Sequence, residues 1–151
     1  MSYIKAVQEW ASGNDFEHLY QEADGAGNVG FSMSFDENQT PVMVRGYDEP
    51  QILQVFVFLQ FKAKKSAFNH LFQMFNHIYD SMPFGRFTLS DEGEVAFSQS
   101  VTLGDVMPNK SVIEEMVGGA YLFLNSHFTG IADVASKKLS FEEWKEQLPK
   151  K

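Results

Sequence analysis

The chain has 151 residues, 44% of them apolar and 15 of them Phe, enough to build the core of a single domain over 1–151. A net charge of −8 repels phosphate backbones and anionic lipid, so neither nucleic acid nor membrane is an expected partner. The absence of cysteine excludes disulfides, thiolate metal sites and a cysteine nucleophile.

The opening MSYIKAVQEW has no basic stretch followed by an apolar one, so no signal peptide is expected. The longest apolar run, 55–59, is five residues, far short of a membrane span. A cytoplasmic protein is the expectation.

Tyr3, Ile4, Val7, Trp10 and Ala11 recur at helical spacing, which predicts a helix over 2–12 ended by Ser12-Gly13-Asn14. Asp15 is placed to cap one or two further helical turns through Ala23, with Phe16, Leu19 and Tyr20 on one face. A glycine-rich loop follows over 24–28. Val29, Phe31, Met33 and Phe35 then alternate with small polar residues, the period of a half-buried strand. A polar turn over 36–40 and Pro41 lead into a second strand, 42–47; proline there suits a strand edge.

The third strand, 52–61, is apolar on both sides. Leu53, Val55, Val57, Leu59 and Phe61 fill one face; Ile52, Phe56 and Phe58 stand between Gln54 and Gln60 on the other. Such a strand needs cover on both faces. Helices or a neighbouring loop can supply it, and so can a second subunit or a client chain. Lys62, Lys64 and Lys65 then read as a solvated loop, with contact to an acidic partner as the other reading.

A helix over 66–82 is the element around which the strands are arranged. Ala67, Phe68, Leu71, Phe72, Phe75, Ile78, Tyr79 and Met82 form its stripe, Ser66 is its expected N-cap and Pro83 its stop. Segments 86–90 and 94–103 read as a hairpin around Asp91-Glu92-Gly93. After Pro108, Ser111-Val112-Ile113-Glu114 has the form of a capping box for a long helix reaching Ala135. Its interior pair Gly118-Gly119 costs roughly 2 kcal/mol relative to alanine, which points to close approach of another backbone or to a kink. Ser140-Phe141-Glu142-Glu143 is a second capping box. It opens a helical extension within 137–151 whose Phe141, Trp144 and Leu148 are expected to dock on the same domain. The order α(α)βββαββα(α) predicts an α+β fold, an antiparallel sheet of about five strands with helices mainly on one face.

Motifs for chemistry are weak. Gly25-Ala26-Gly27-Asn28-Val29-Gly30 spells a dinucleotide fingerprint, but it lies between a helix and a strand in the reverse of the order that chemistry needs. His70 and His77, seven residues apart on one helix, are about 10.5 Å apart along its axis, too far to share an ion. His18 and His127 complete the histidines, and the calcium-loop, P-loop and nucleophile-elbow patterns are missing. Neither a metal nor a cofactor is expected, nor a catalytic residue.

The stretch FNHIYDSMPFGRFTLSDEGEVAFSQSVTL (75–103), followed by a long helix, resembles the bacterial YbjN-like domain, with Asn76 and Phe84-Gly85-Arg86 matching its pattern. Ile78 and Tyr79 stand where that pattern has Trp-Asn. The resemblance implies a fold like the type III secretion chaperones and a non-enzymatic, often dimeric domain with a chaperone or regulatory role. The expectation is therefore a protein-interaction module, homodimeric, holding a protein partner. Ile52, Phe56, Phe58, Met74, His70 and His77 are its candidate contact residues. The alternative is a small-ligand or enzymatic domain using His70, His77, Asn69 or Asn76 on the central helix.

Overall fold

The computed structural model describes residues 2–82, 85–104 and 106–150. Six antiparallel strands, β1 (Leu19–Ala23), β2 (Ala26–Phe35), β3 (Asn38–Asp48), β4 (Gln51–Lys62), β5 (Arg86–Leu89) and β6 (Glu94–Val101), form one open sheet. Their spatial order is β1-β2-β3-β4-β6-β5. With helices α1 (Tyr3–Ser12), α2 (Phe68–Tyr79), α3 (Lys110–Ala135) and α4 (Phe141–Glu146) the chain order is αββββαββαα. This is the expected α+β architecture, one strand wider.

The extra strand corrects the reading of 15–23 as helical. Leu19 to Ala23 pairs with β2, from Leu19 opposite Gly30 to Ala23 opposite Ala26. The turn decides it: Asp24 and Gly25 take φ of 54° and 75°, the two-residue geometry whose twist suits paired strands. So short a segment is marginal as a helix by itself and takes the hydrogen bonds that β2 offers. Pro41 lies inside β3, one residue outside the β3–β4 ladder, which begins at Val42 opposite Val57.

All four helices lie to one side. Val42, Val44, Leu53, Val55, Val57 and Phe97 turn toward them and are buried. The N-terminus of α1 sits on a glycine floor, Gly27 paired with Gly46 across β2 and β3. A Cβ at Gly46 would lie 2.5 Å from the Tyr3 carbonyl oxygen, and one at Gly27 2.9 Å from Ile4. Asp48 caps the same helix end, accepting from the Tyr3 N–H at 2.6 Å and from the Ser2 hydroxyl at 2.9 Å. A carboxylate is well placed there, at the positive end of the helix dipole.

The helix starts differ from expectation. Ser66 lies in a short 3-10 turn, Lys65–Ala67, and Ala67, which precedes α2, makes no side-chain cap bond. The buried side of α2 is Leu71, Met74, Phe75 and Ile78, whereas Phe72 of the expected stripe is 52% exposed. Asn109 rather than Ser111 caps α3, its Oδ1 accepting from the Val112 N–H at 3.0 Å. Gly118 is exposed, and a Cβ there would meet nothing within 4 Å, so among the described residues no backbone beyond its own turns of helix approaches it. The close approach is at Gly130, where a Cβ would lie 2.7 Å from Trp144 Nε1.

The second capping box forms as expected, and α4 docks through buried Trp144 onto α2 and α3. Tyr79, near the end of α2, donates to the Phe87 carbonyl at 3.0 Å and accepts from its N–H at 2.9 Å, tying the helix to β5. Among the described residues no helix is long and apolar enough to cross a membrane.

Candidate functional site

The strand period that sends Val42, Val44, Leu53, Val55 and Val57 into the core sends their neighbours to the far side of the sheet. There, half-buried, stand Met43, Arg45 and Tyr47 of β3 and Ile52, Gln54 and Phe56 of β4, with Phe58 exposed. The register places Met43 opposite Phe56 and Arg45 opposite Gln54. On the next strand Phe56 is opposite Ser98 and Gln54 opposite Ser100, and Ser98 faces Arg86 of β5. Among the described residues this side of the sheet carries no helix, and its side chains shelter one another.

Arg45 is its centre. Its Nε donates to Asn28 Oδ1 at 2.6 Å and a terminal nitrogen to the Tyr47 hydroxyl at 3.1 Å. The guanidinium carbon lies 5.3 Å from the Phe56 ring centroid and 5.8 Å from that of Tyr47, within cation–π range. Phe56 and Phe58 stack with centroids 6.1 Å apart and planes 11° apart. Gln54 Nε2 donates to Ser100 Oγ at 3.0 Å. The partners of Arg45 are thus neutral groups that fix its direction and leave its charge in place.

Charge on this face runs against that of the molecule. Both arginines of the chain, Arg45 and Arg86, stand on it. Among the described residues neither forms an ion pair, since the salt bridges present use lysines and His70. Of the carboxylates within the strands, Glu22 and Asp48 fall on the helix side by strand alternation, while Glu94 is opposite Lys62. Where the β4–β6 register slips between Phe58 and Lys62, a groove of about 650 Å³ opens, lined by Phe58, Gln60, Thr88 and Ala96 among others.

The six candidate contact residues divide. Ile52, Phe56 and Phe58 stand together on this open face. Met74 does not belong with them: it is wholly buried on the core side of α2, its methyl facing Gly130. The stripe read from the sequence left it out, and which side of α2 the helices α3 and α4 cover was not legible there. His70 and His77 lie under α4, on the helical side of the molecule. His70 Nδ1 accepts from the Phe141 N–H at 3.1 Å, so its neutral form carries the proton on Nε2. Exposed Glu142 is 4.0 Å from the same ring. His77 stands edge-on to Trp144 at 5.7 Å.

These contacts hold the extension in place. Asn69, Gln73 and Asn76 point to solvent beside them. Among the described residues no group of three or more histidine or acidic side chains is arranged to hold a metal. His127 packs against Phe123 with centroids 4.8 Å apart, and burial pushes its imidazole pKa down. Among the described residues, the polar face of α2 thus meets α4 through His70 and His77 and otherwise faces solvent.

Met43, Arg45, Tyr47 and Arg86 were not singled out from the sequence. The period-two pattern of 42–47 already put the first three on one side. Their meeting with Phe56 and Arg86 required the register of four strands, β3, β4, β6 and β5.

Residues 4–126 match the YbjN family, described as "Putative bacterial sensory transduction regulator". The matched segment spans α1 to the middle of α3 and includes every strand; α4 lies beyond it. No curated protein matches the chain.

Proposed function

Because the chain belongs to the YbjN family, we propose that it is a non-enzymatic, cytoplasmic protein-interaction module that regulates by holding a protein partner on the open face of its sheet. The observation that carries this reading is the stacked pair Phe56 and Phe58 with Arg45 against Phe56, over which no helix of the described residues lies. Aromatic and arginine side chains fixed in a flat patch are the residue types that dominate protein contacts. The patch also has the size of a protein contact. Six strands at about 4.8 Å spacing span about 24 Å, comparable to one side of a standard interface and larger than a small ligand needs. A homodimer joined through another surface belongs to the same proposal.

A photo-crosslinking side chain in place of Phe58, compared with one in place of Asn69, tests the face in cells. Crosslinks to a discrete protein from Phe58 and none from Asn69 support the reading. Equal capture from both positions, or none from either, overturns it. Sedimentation at high micromolar concentration reads the dimer: a dimer kept by Phe58→Ser uses another surface, and one lost by it uses this face. A monomer removes the homodimer from the proposal.

A further inference from the structure

Resting on that reading of the open face, we propose that its occupant is an acidic segment of another protein, bound extended, with two carboxylates four residues apart on one side of the segment, flanking an apolar side chain. A molecule of net charge −8 has put both its arginines on this face, and Lys62 with them. The only strand carboxylate that joins them is Glu94, opposite Lys62 at the rim. Arg45 is held by a side-chain amide and a phenol, which orient the guanidinium and leave its charge uncompensated. A guanidinium so fixed is pre-organised for a carboxylate, and less side-chain freedom remains to be lost on binding.

The spacing comes from the register. Arg45 on β3 and Arg86 on β5 are separated by β4 and β6, three strand intervals of about 4.8 Å. Arg45 is in line with Gln54 and Ser100, and Arg86 with Ser98, so the two are also offset by two residues along the strands, about 7 Å. The Cα atoms of the two arginines are then about 16 Å apart; because alternate side chains of an extended segment point to opposite sides, the matching same-side spacing is four residues, about 13 Å, with the long arginine and glutamate side chains closing the difference. Phe56 lies between them, opposite Met43 and Ser98. An apolar side chain midway along the segment would rest on Phe56 and Phe58 beside the groove at the register slip.

The same arithmetic opposes a second copy as occupant. Two such faces meeting about a twofold axis bring arginine toward arginine, with no strand carboxylate apart from Glu94 to separate them. Phosphate-bearing polymers meet the acidic remainder of the surface as soon as they extend past the face.

The test uses short fluorescent peptides and the full chain. One carries Glu at i and i+4 with Leu at i+2; its counterparts carry Lys or Gln in place of Glu. The Glu peptide is expected to bind at least about tenfold more tightly than either, with affinity falling as salt is raised. Arg86→Met, at an exposed position that keeps the strand, should weaken it about tenfold with melting temperature held, and Arg45→Met, which also gives up the bonds to Asn28 and Tyr47, should weaken it at least as much.

Equal affinity for the Glu and Lys peptides, binding untouched by Arg86→Met, or saturation by none of the three up to millimolar concentration overturns the proposal. Equal binding of the Gln peptide overturns the acidic preference yet leaves the face a contact surface. So does a dimer that buries Phe58. The two readings therefore fail separately.

Discussion

At the scale of the residue, the informative side chains are those whose partners come from far along the chain. Asp48, at the end of a strand, serves as the cap of a helix that begins 45 residues earlier. Tyr79 and Tyr3 each tie a helix to a distant backbone through a hydroxyl that both gives and accepts. His127 carries a pH dependence of known sign. Burial lowers its pKa from the ordinary 6.5, so the unfolded chain binds more protons between the two values. Its contribution to stability is whole above about pH 6.5 and is lost as pH falls through the folded-state value. Denaturant midpoints taken from pH 7.5 down to pH 5 should fall more steeply for the native chain than for His127→Gln; equal slopes would assign the acid sensitivity elsewhere.

At the scale of the element, the glycines of α3 make a controlled contrast. Gly118 is exposed, with nothing near the place of a Cβ, so Gly118→Ala should stabilise the protein by about 0.5–1 kcal/mol through helix propensity. Gly130 faces the Trp144 indole, and Gly130→Ala should cost about 1–3 kcal/mol by pushing α4 off its seat. Thermal melts of the two variants read the opposite signs directly. A stabilised Gly130→Ala would show that α4 is not seated as described. The string of glycines over 25–30 has its explanation here too. Gly25 makes a turn and Gly27 makes room for α1, so the pattern serves packing rather than a phosphate.

At the scale of the whole molecule, the sheet is covered on one side and bare on the other. Phe97 and Phe58 occupy neighbouring strands on opposite faces, so the same kind of truncation should read very differently. Phe97→Ala removes a wholly buried ring and should cost about 3–5 kcal/mol. Phe58→Ser, at a position 38% exposed, should cost less than about 1 kcal/mol. Chemical denaturation of the two variants checks the pair. A large loss at Phe58 would mean that the open face is part of the core and not a surface kept for a partner.

By itself the sequence determined the existence and type of most elements. The two-residue alternation of 29–35, 42–47 and 52–61 and the helical stripes of 3–11 and 112–135 are local patterns, and local patterns survive whatever packs against them. It also carried the family resemblance and the two-sided apolar character of β4. Tertiary structure decided the rest. It made 19–23 a strand because β2 stood ready to pair with it, buried Met74 because α3 and α4 cover that side of α2, and moved the cap of α3 from Ser111 to Asn109. Above all it brought Arg45, Phe56 and Arg86 onto one surface. Periodicity gives the face on which a side chain lies within its own strand; which distant side chains share that surface depends on register, set by hydrogen bonds between segments far apart in the chain.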